Sequence, residues 1–360
     1  MKRLELEKIL CTDIPELQGK EIWIWGAGNT AQLYQEGLKR LSEEGFFITG
    51  YCDNDPLKYT VDAGFNSLPV ISPAELEKKE NIIVLICTAI PKIYESIGKQ
   101  LTKMNKEWYS LDEAIMKLHR EQVLQCYDLL EDDLSKEIYA AVILFRMKGG
   151  ILQYEPNCED RYYAIAPFKM IDDAEVYIDC GAYVGDSIEK YIWRREGAFK
   201  KIIAFEPNKK NYCAMSKRVE RLKSEWNIEK EDICLYAYGV GDEEIYGNLE
   251  NYDVNHGLSS KFIDKDMVGD EVCRIVSLDT FIEEPFSFIK ADIESYEYKM
   301  LCGAKEGIKK WKPLLAIAIY HNGVDMYDIP LLIKNICPEY KIAIRHHSYG
   351  WGDTVVYAYI

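Results

Sequence analysis

The chain is short of positive charge. Among its 360 residues, 44 Lys and Arg face 60 Asp and Glu, a formal net charge of -16. Neutralising a phosphate backbone takes clustered Lys and Arg, so DNA and RNA are excluded as expected partners. The short basic pairs, Lys200-Lys201 and Lys209-Lys210, read as solvated faces of helices and loops. Long apolar runs are missing too. Ile82 to Ile90 and Leu314 to Tyr320 are the longest, and both are far too short to span a bilayer. The first residues, Met1-Lys2-Arg3-Leu4-Glu5, lack the apolar core of a secretory signal. There is no CxxC pair. The 11 cysteines are scattered, several of them (Cys87, Cys180, Cys234) inside apolar runs, which speaks against a disulfide framework. The expectation is a cytoplasmic protein with reduced thiols.

A further absence is more informative. Val176-Tyr177-Ile178-Asp179 reads as an apolar strand running into the turn Cys180-Gly181-Ala182-Tyr183-Val184-Gly185-Asp186-Ser187. A second apolar strand, Ile202-Ile203-Ala204-Phe205, ends in Glu206-Pro207-Asn208. Strand, glycine turn, helix and carboxylate-tipped strand make a nucleoside-binding βαβ layout. The turn carries no Lys or Arg, and it does carry Asp179 and Asp186. It suits a ligand with ribose hydroxyls and a cationic head better than one with a pyrophosphate. S-adenosylmethionine is such a ligand. Gly181, Ala182, Tyr183 and Gly185 would let the backbone approach it, with Ser187 opening the helix behind them. Glu206 is placed to accept two hydrogen bonds from ribose hydroxyls, beside Pro207 and Asn208. Asp179 and Asp186 would offset the ammonium. Asp242, past the third strand, either reaches the adenine amino group or caps a surface turn.

A hydrophobic fraction of 48% supplies real cores, and the length allows two domains. The strand–helix pattern occurs twice. The first copy has strands at Glu21–Trp25, Phe47–Cys52, Asn81–Thr88 and Trp108–Leu111, giving about four parallel strands. Its turn holds Gly26, Gly28 and Asn29, and its second strand ends in Asp53. This is dinucleotide-like spacing in a small Rossmann-like domain, residues 1–112. That domain is either a nucleotide site or a structural or dimerisation module. Residues 113–172 follow as a helical connector. Leu130, Leu134, Ile138, Ala141 and Phe145 recur there at helical spacing, and Gly149-Gly150 ends the run.

Residues 173–360 hold the second copy. Strands are expected at Val176–Asp179, Lys201–Phe205, Ile233–Tyr238, Phe286–Lys290, Leu314–Ile319, Tyr340–His346 and Thr354–Tyr359, with an extra one at Glu271–Val276. The last two are joined by the turn-rich His347–Asp353 and should pair antiparallel. The fold class is therefore α/β. It combines a seven-stranded mixed sheet of the common methyltransferase type, a smaller N-terminal Rossmann-like domain and a helical connector.

Two further groups reach the carboxyl edge of this sheet, where ligands bind. Phe288-Ile289-Lys290-Ala291 delivers Asp292 and Glu294, either to orient or deprotonate an acceptor hydroxyl or merely to favour a helix N-terminus. Ile317-Ala318-Ile319-Tyr320 delivers His321, a candidate general base that could equally be structural. His256, before Gly257-Leu258-Ser259-Ser260, is a weaker candidate, and His346-His347 reads as a strand end. No ligand set for a metal converges.

Together these residues resemble the FkbM-type methyltransferases from Tyr162 to the C-terminus. The resemblance rests on the Asp179–Ser187 turn, Phe205-Glu206-Pro207-Asn208, Val276–Phe281, Ile289–Leu301 with Gly303-Ala304, and Tyr320-His321. The family's lysine–hydrophobic–aspartate–hydrophobic–glutamate–glycine run appears as Lys290–Ser295, with Ser295 where the glycine is usual. The resemblance implies a class I fold and S-adenosylmethionine-dependent methyl transfer, most often to a hydroxyl of a sugar, glycan or secondary-metabolite acceptor. Asp292, Glu294 and His321 would carry the chemistry. Two rival readings are an NAD-dependent nucleotide-sugar oxidoreductase or epimerase and a non-catalytic nucleotide-binding module. Against the first, no Tyr-x-x-x-Lys pair stands suitably after either turn.

Overall fold

The computed structural model describes residues 3–13, 15–60, 65–148, 152, 155, 160–251, 260–263 and 271–360. His256 and the Gly149-Gly150 helix stop lie outside them. The chain divides into two compact units. One comprises Met1–Pro156, Tyr320–Asp328 and Ser348–Asp353; the other comprises Asn157–Ile319, Ile329–His347 and Thr354–Ile360.

The first unit contains α1 (Arg3–Leu10), β1 (Glu21–Trp25), α2 (Asn29–Leu33), α3 (Gln35–Glu43), β2 (Ile48–Cys52), β3 (Val70–Ile71), α4 (Pro73–Glu77), β4 (Ile82–Ile86), α5 (Pro91–Lys103) and β5 (Glu107–Ser110), followed by α6 (Leu111–Leu118), α7 (Arg120–Leu129) and α8 (Asp133–Lys148). Its sheet is parallel, in the order β3-β2-β1-β4-β5. The interior strand β4 is Ile-Ile-Val-Leu-Ile and buried throughout, as such a strand in a parallel sheet must be. The sheet has five strands where four were expected. The extra one, β3, is two residues long and too short to leave a periodic trace. It runs into α4, which a Ser72/Glu75 capping box starts. The expected helical stretch is three helices. His119 separates the first two, and Leu130, with extended backbone, ends the second.

The second unit contains β6 (Val176–Cys180), α9 (Asp186–Arg194), β7 (Lys201–Phe205), α10 (Lys209–Trp226), β8 (Ile233–Tyr236), β9 (Tyr238–Gly241), β10 (Ile245–Asn251), β11 (Ser260–Ile263), β12 (Glu271–Ser277), α11 (Leu278–Phe281), β13 (Phe288–Ala291), α12 (Glu297–Gly303), α13 (Lys305–Trp311) and β14 (Leu314–Ala318). After these come α14 (Asp325–Ile336), of which the part from Ile329 onward belongs to this unit, β15 (Lys341–His346) and β16 (Thr354–Tyr359). The main sheet has seven strands in the order β15-β16-β14-β13-β6-β7-β8. Five are parallel, and β16 pairs antiparallel with both β14 and β15. This is the expected mixed sheet, with β6 at the point where the strand order reverses.

The strand expected over Ile233–Tyr238 is two strands. It breaks at Ala237, and β9 leaves to pair with β12. A second sheet of order β11-β10-β12-β9 results. Of these strands only β12 was anticipated as an addition, because hairpin strands such as β10 and β11 give weak signals over so few residues.

The core behind β6 is aromatic. Tyr177 and Tyr191 stack at 4.1 Å with rings 6° apart, and Phe288 and Phe168 meet edge to face at 5.4 Å. Each such side chain buried contributes roughly 2 kcal/mol before packing geometry is counted. The buried Arg195 is matched by Glu175 at 2.6 Å and donates to the Phe168 carbonyl, so its charge is not orphaned. This packing fixes the root of α9 and hence the turn before it.

Candidate active site

The turn after β6 is built on positive backbone φ angles at Gly181 (+78°), Tyr183 (+49°) and Gly185 (+79°). Gly181 has a second constraint. A Cβ there would lie 2.1 Å from the Asp292 carbonyl oxygen, so no side chain fits. Both Gly181 and Ala182 donate their amides to the Phe205 carbonyl, which clamps the turn onto the end of β7.

Glu206 is the focus of this clamp. It is buried at 6% exposure. One carboxylate oxygen accepts the Tyr183 amide at 2.9 Å; the other accepts the Asn208 amide at 2.9 Å and the Asn211 side chain at 3.4 Å. Burial pushes its carboxyl up to about 7, against those three donors, which pull it down. Asn208 caps α10 by accepting the Lys210 and Asn211 amides, so the loop that holds Glu206 is itself held.

Asp179 is fully buried and ion-paired with Lys290 at 2.9 Å, and it also accepts from the Ser187 hydroxyl. Its charge is thus matched from within the protein. Lys290 also donates to the Gly181 carbonyl at 2.6 Å, bracing the turn. Burial pulls the Lys290 ammonium down, but Asp179 and Asp292 outweigh it and the net shift is upward. Asp186 begins α9 and is exposed. Asp242 is exposed just after β9.

Asp292 follows β13 and is half-buried. It accepts from the Tyr162 hydroxyl at 2.8 Å and lies 3.6 Å from the Arg161 guanidinium. Glu294 and Ser295 occupy left-handed backbone at φ +54° and +75°. The glycine usual at position 295 is at home there, whereas a serine is not. The same short loop is tied down by Glu297, which is fully buried and accepts the Ile293 amide at 2.7 Å.

The second unit therefore brings together Asp179, Gly181, Ala182, Tyr183, Glu206 and Asp292 at the carboxyl ends of β6, β7 and β13. His321 belongs to the first unit, is 3% exposed, and has its ring 4.1 Å from that of Tyr320. His346 is buried against the Thr354 hydroxyl at 2.8 Å, inside the β15–β16 pair.

Lys290, Tyr162, Arg161 and Asn211 received no role from the sequence. For Lys290 a signal existed, since it is a lone charge in an apolar strand. The register of β13 against β6 sets it directly opposite Asp179. The others depend on long-range contacts that no spacing reveals.

In the first unit, the turn after β1 donates the Ala27 amide to Asp53 at 2.9 Å. Asp53 also accepts the Asp55 amide and pairs with Lys58 at 2.9 Å. Gly28 precedes α2, and Asn29 at its start is exposed.

The chain aligns over 99% of its length with 98% of an FkbM methyltransferase structure from Methylobacillus flagellatus KT, at 21% identity and a TM-score of 0.55. An rRNA methylase from Streptococcus thermophilus is similar over 52% of this chain and 87% of its own, at 17% identity and a TM-score of 0.32. A methyltransferase from Streptococcus mutans, solved in complex with SAH, is similar over 53% and 92%, at 14% identity and a TM-score of 0.33. No curated protein sequence matches the chain. Residues 179–338 match the model of the methyltransferase FkbM domain, so this part of the chain is similar to that family.

Proposed function

We propose that the second unit binds S-adenosylmethionine on the β6 turn and Glu206, and transfers its methyl group to a hydroxyl of a sugar, glycan or secondary-metabolite acceptor. The observation that carries this reading is Glu206. A carboxylate buried to 6% and pushed up to about 7 is costly to keep in a strand-end loop. Its protein donors leave an acceptor site open on the oxygen that takes the Tyr183 amide, and the long 3.4 Å contact from Asn211 on the other oxygen is one that a second ribose hydroxyl can displace. The cradle fits as well, since Gly181 leaves no room for a side chain beside Asp292.

When bound, S-adenosylmethionine supplies an electrophilic methyl group. The chain's residues supply position and a proton acceptor. Gly181, Ala182, Tyr183, Gly185, Ser187, Pro207 and Asn208 shape the nucleoside side, and Asp186 offers negative charge for the ammonium. Asp179 works through Lys290, which holds the Gly181 carbonyl. Asp292, oriented by the Tyr162 hydroxyl, takes the acceptor's proton, with Glu294 beside it. Charge is neutralised as the methyl group moves, so alignment contributes more than strong base catalysis.

Calorimetry with S-adenosylmethionine and S-adenosylhomocysteine tests the first half. Micromolar binding that Glu206→Ala weakens about a hundredfold supports it; NAD(H) binding at this turn without either ligand overturns it. Asp292→Asn tests the second half. Cofactor affinity should persist while turnover is lost, and unchanged turnover removes Asp292 from the reaction.

A further inference from the structure

We propose that Tyr162 and Arg161 are positioning residues for the reaction: the turn over residues 160–163 that carries them holds the Asp292 carboxylate in place. The proposal deepens the reading of Asp292 as proton acceptor, given above, and rests on it. Every contact it uses lies within the second unit.

Tyr162 has a backbone φ of +75°. A bulky side chain rarely takes this left-handed conformation, which persists only where neighbours hold it. Here they do. The Tyr163 amide closes the turn on the Asp160 carbonyl at 2.9 Å. Asp160 is tied to α9 through Arg194 and, at 3.7 Å, through Lys190. The Tyr162 amide donates at 3.1 Å to the hydroxyl of Tyr357, which is fully buried on β16. The left-handed step divides two adjacent tyrosines between two tasks. Tyr163 packs edge to face on Phe288 in the core, whereas the Tyr162 hydroxyl donates to Asp292 at 2.8 Å.

The same Asp292 oxygen lies 3.6 Å from the Arg161 guanidinium, whose side chain is 33% exposed. The Arg161 guanidinium carbon is also 4.9 Å from the centre of the Tyr162 ring, and the Lys290 ammonium is 5.4 Å from it. Cations over an aromatic face are attracted to it, so the two steady the phenol whose hydroxyl meets Asp292. Within the second unit Asp292 also faces Lys290 on β13, which is paired with Asp179, and Glu297 on α12, whose carboxylate comes within 4.8 Å. An apolar anchor at position 162 needs neither the strained backbone nor the hydroxyl, since phenylalanine would fill the same space. A carboxylate that must present one oxygen in one direction needs both.

The test uses the full-length protein, isotope-labelled at its aspartate side chains, with the Asp292 carboxyl resonance assigned by its loss in Asp292→Asn. Tyr162→Phe removes only the hydroxyl. Arg161→Gln removes the charge, and Arg161→Lys keeps it. Losing a donor to the ionised form disfavours that form, so Tyr162→Phe should raise the Asp292 titration midpoint by about one pH unit. Arg161→Gln should raise it by less, because that pair is partly solvated, and Arg161→Lys should bring it most of the way back. S-adenosylhomocysteine affinity should stay within about twofold in all of these variants. An unmoved midpoint in folded Tyr162→Phe overturns the proposal, and lost thermal stability beside it is the pattern of a merely structural tyrosine. If Tyr162→Phe does not fold, the Arg161 variants decide: equal midpoints in Arg161→Gln and the wild type overturn it. If the wild type binds neither S-adenosylmethionine nor S-adenosylhomocysteine, the reading of the site fails, and the Asp292 midpoint still tests the positioning separately.

Discussion

In the first unit the turn after β1 gives the Ala27 amide to Asp53 at the tip of β2. In the second the turn after β6 gives the Tyr183 amide to Glu206 at the tip of β7. The likeness extends to the glycines. Gly26 and Gly181 both have positive φ, and a Cβ on either would strike a carbonyl, that of Cys87 at 2.4 Å or Asp292 at 2.1 Å. These shared features are what a parallel strand–turn–helix requires of any sequence. The difference lies in the carboxylates. Asp53 has a lysine on it, whereas Glu206 is deeper and is held by backbone amides and one side-chain amide. A layout that recurs for structural reasons does not by itself mark a site. The proposed site rests instead on the carboxylate that no side-chain cation contacts.

The largest expected effect tests the shared part. Gly181→Ala should destabilise the protein by roughly 3 kcal/mol or more, through both the clash and the positive φ. Gly26→Ala should cost a similar amount in thermal unfolding. The two should part company in calorimetry, where Gly181→Ala loses cofactor binding and the folded fraction of Gly26→Ala keeps it. Equal loss of binding in both would make the first turn part of the same function.

Next in size is the carboxylate comparison. Glu206→Ala should weaken S-adenosylmethionine binding by about 3 kcal/mol, roughly a hundredfold, as two charge-assisted hydrogen bonds are lost. Asp53→Ala should leave that affinity within about twofold, because its charge already has a partner in Lys58. A large effect at Asp53 would break the distinction.

A pH titration sharpens the same contrast. Burial holds the Glu206 carboxyl at about 7 in the free protein. Ribose hydroxyls donate to its ionised form, so binding favours the carboxylate and releases a proton when Glu206 starts protonated. Affinity should therefore be flat above pH 7 and fall by up to about tenfold per pH unit below it. Glu206→Gln should bind more weakly and lose that slope. A slope that survives in Glu206→Gln assigns the titration to another group.

How much of this was legible beforehand follows from the range of each contact. Most strands of both main sheets were readable because apolar residues cluster over four or five positions between polar or turn-forming stretches, as in Ile82–Ile86 and Ile202–Phe205. Gly181 and Glu206 were readable because their relation depends on one βαβ unit. Three things were not. Strand β3 is too short for a pattern, and β9 changes sheet at Ala237 without a compositional break. Arg146 meets Tyr320 across 174 positions. Only folding brings these two together, and the apolar spacing of α8 gives no hint that one of its charged residues is buried.

The smallest expected effect puts the comparison to its hardest test, because it tries to turn one turn into the other. Lys58→Met removes the cation from Asp53 and leaves its backbone donors, the Ala27 and Asp55 amides, in place. Lys58 is 37% exposed, so the lost ion pair should cost no more than about 0.5 kcal/mol. Asp53 then resembles Glu206 in its donors but remains shallower and unfavoured by a surrounding pocket. The expectation is that calorimetry detects no adenosine or NAD binding by the variant's first unit. Binding that appeared on this single change would mean that the layout suffices and that Lys58 is what keeps the first turn closed. Its absence would mean that the burial around Glu206, rather than the strand–turn–helix layout, makes the second turn a site.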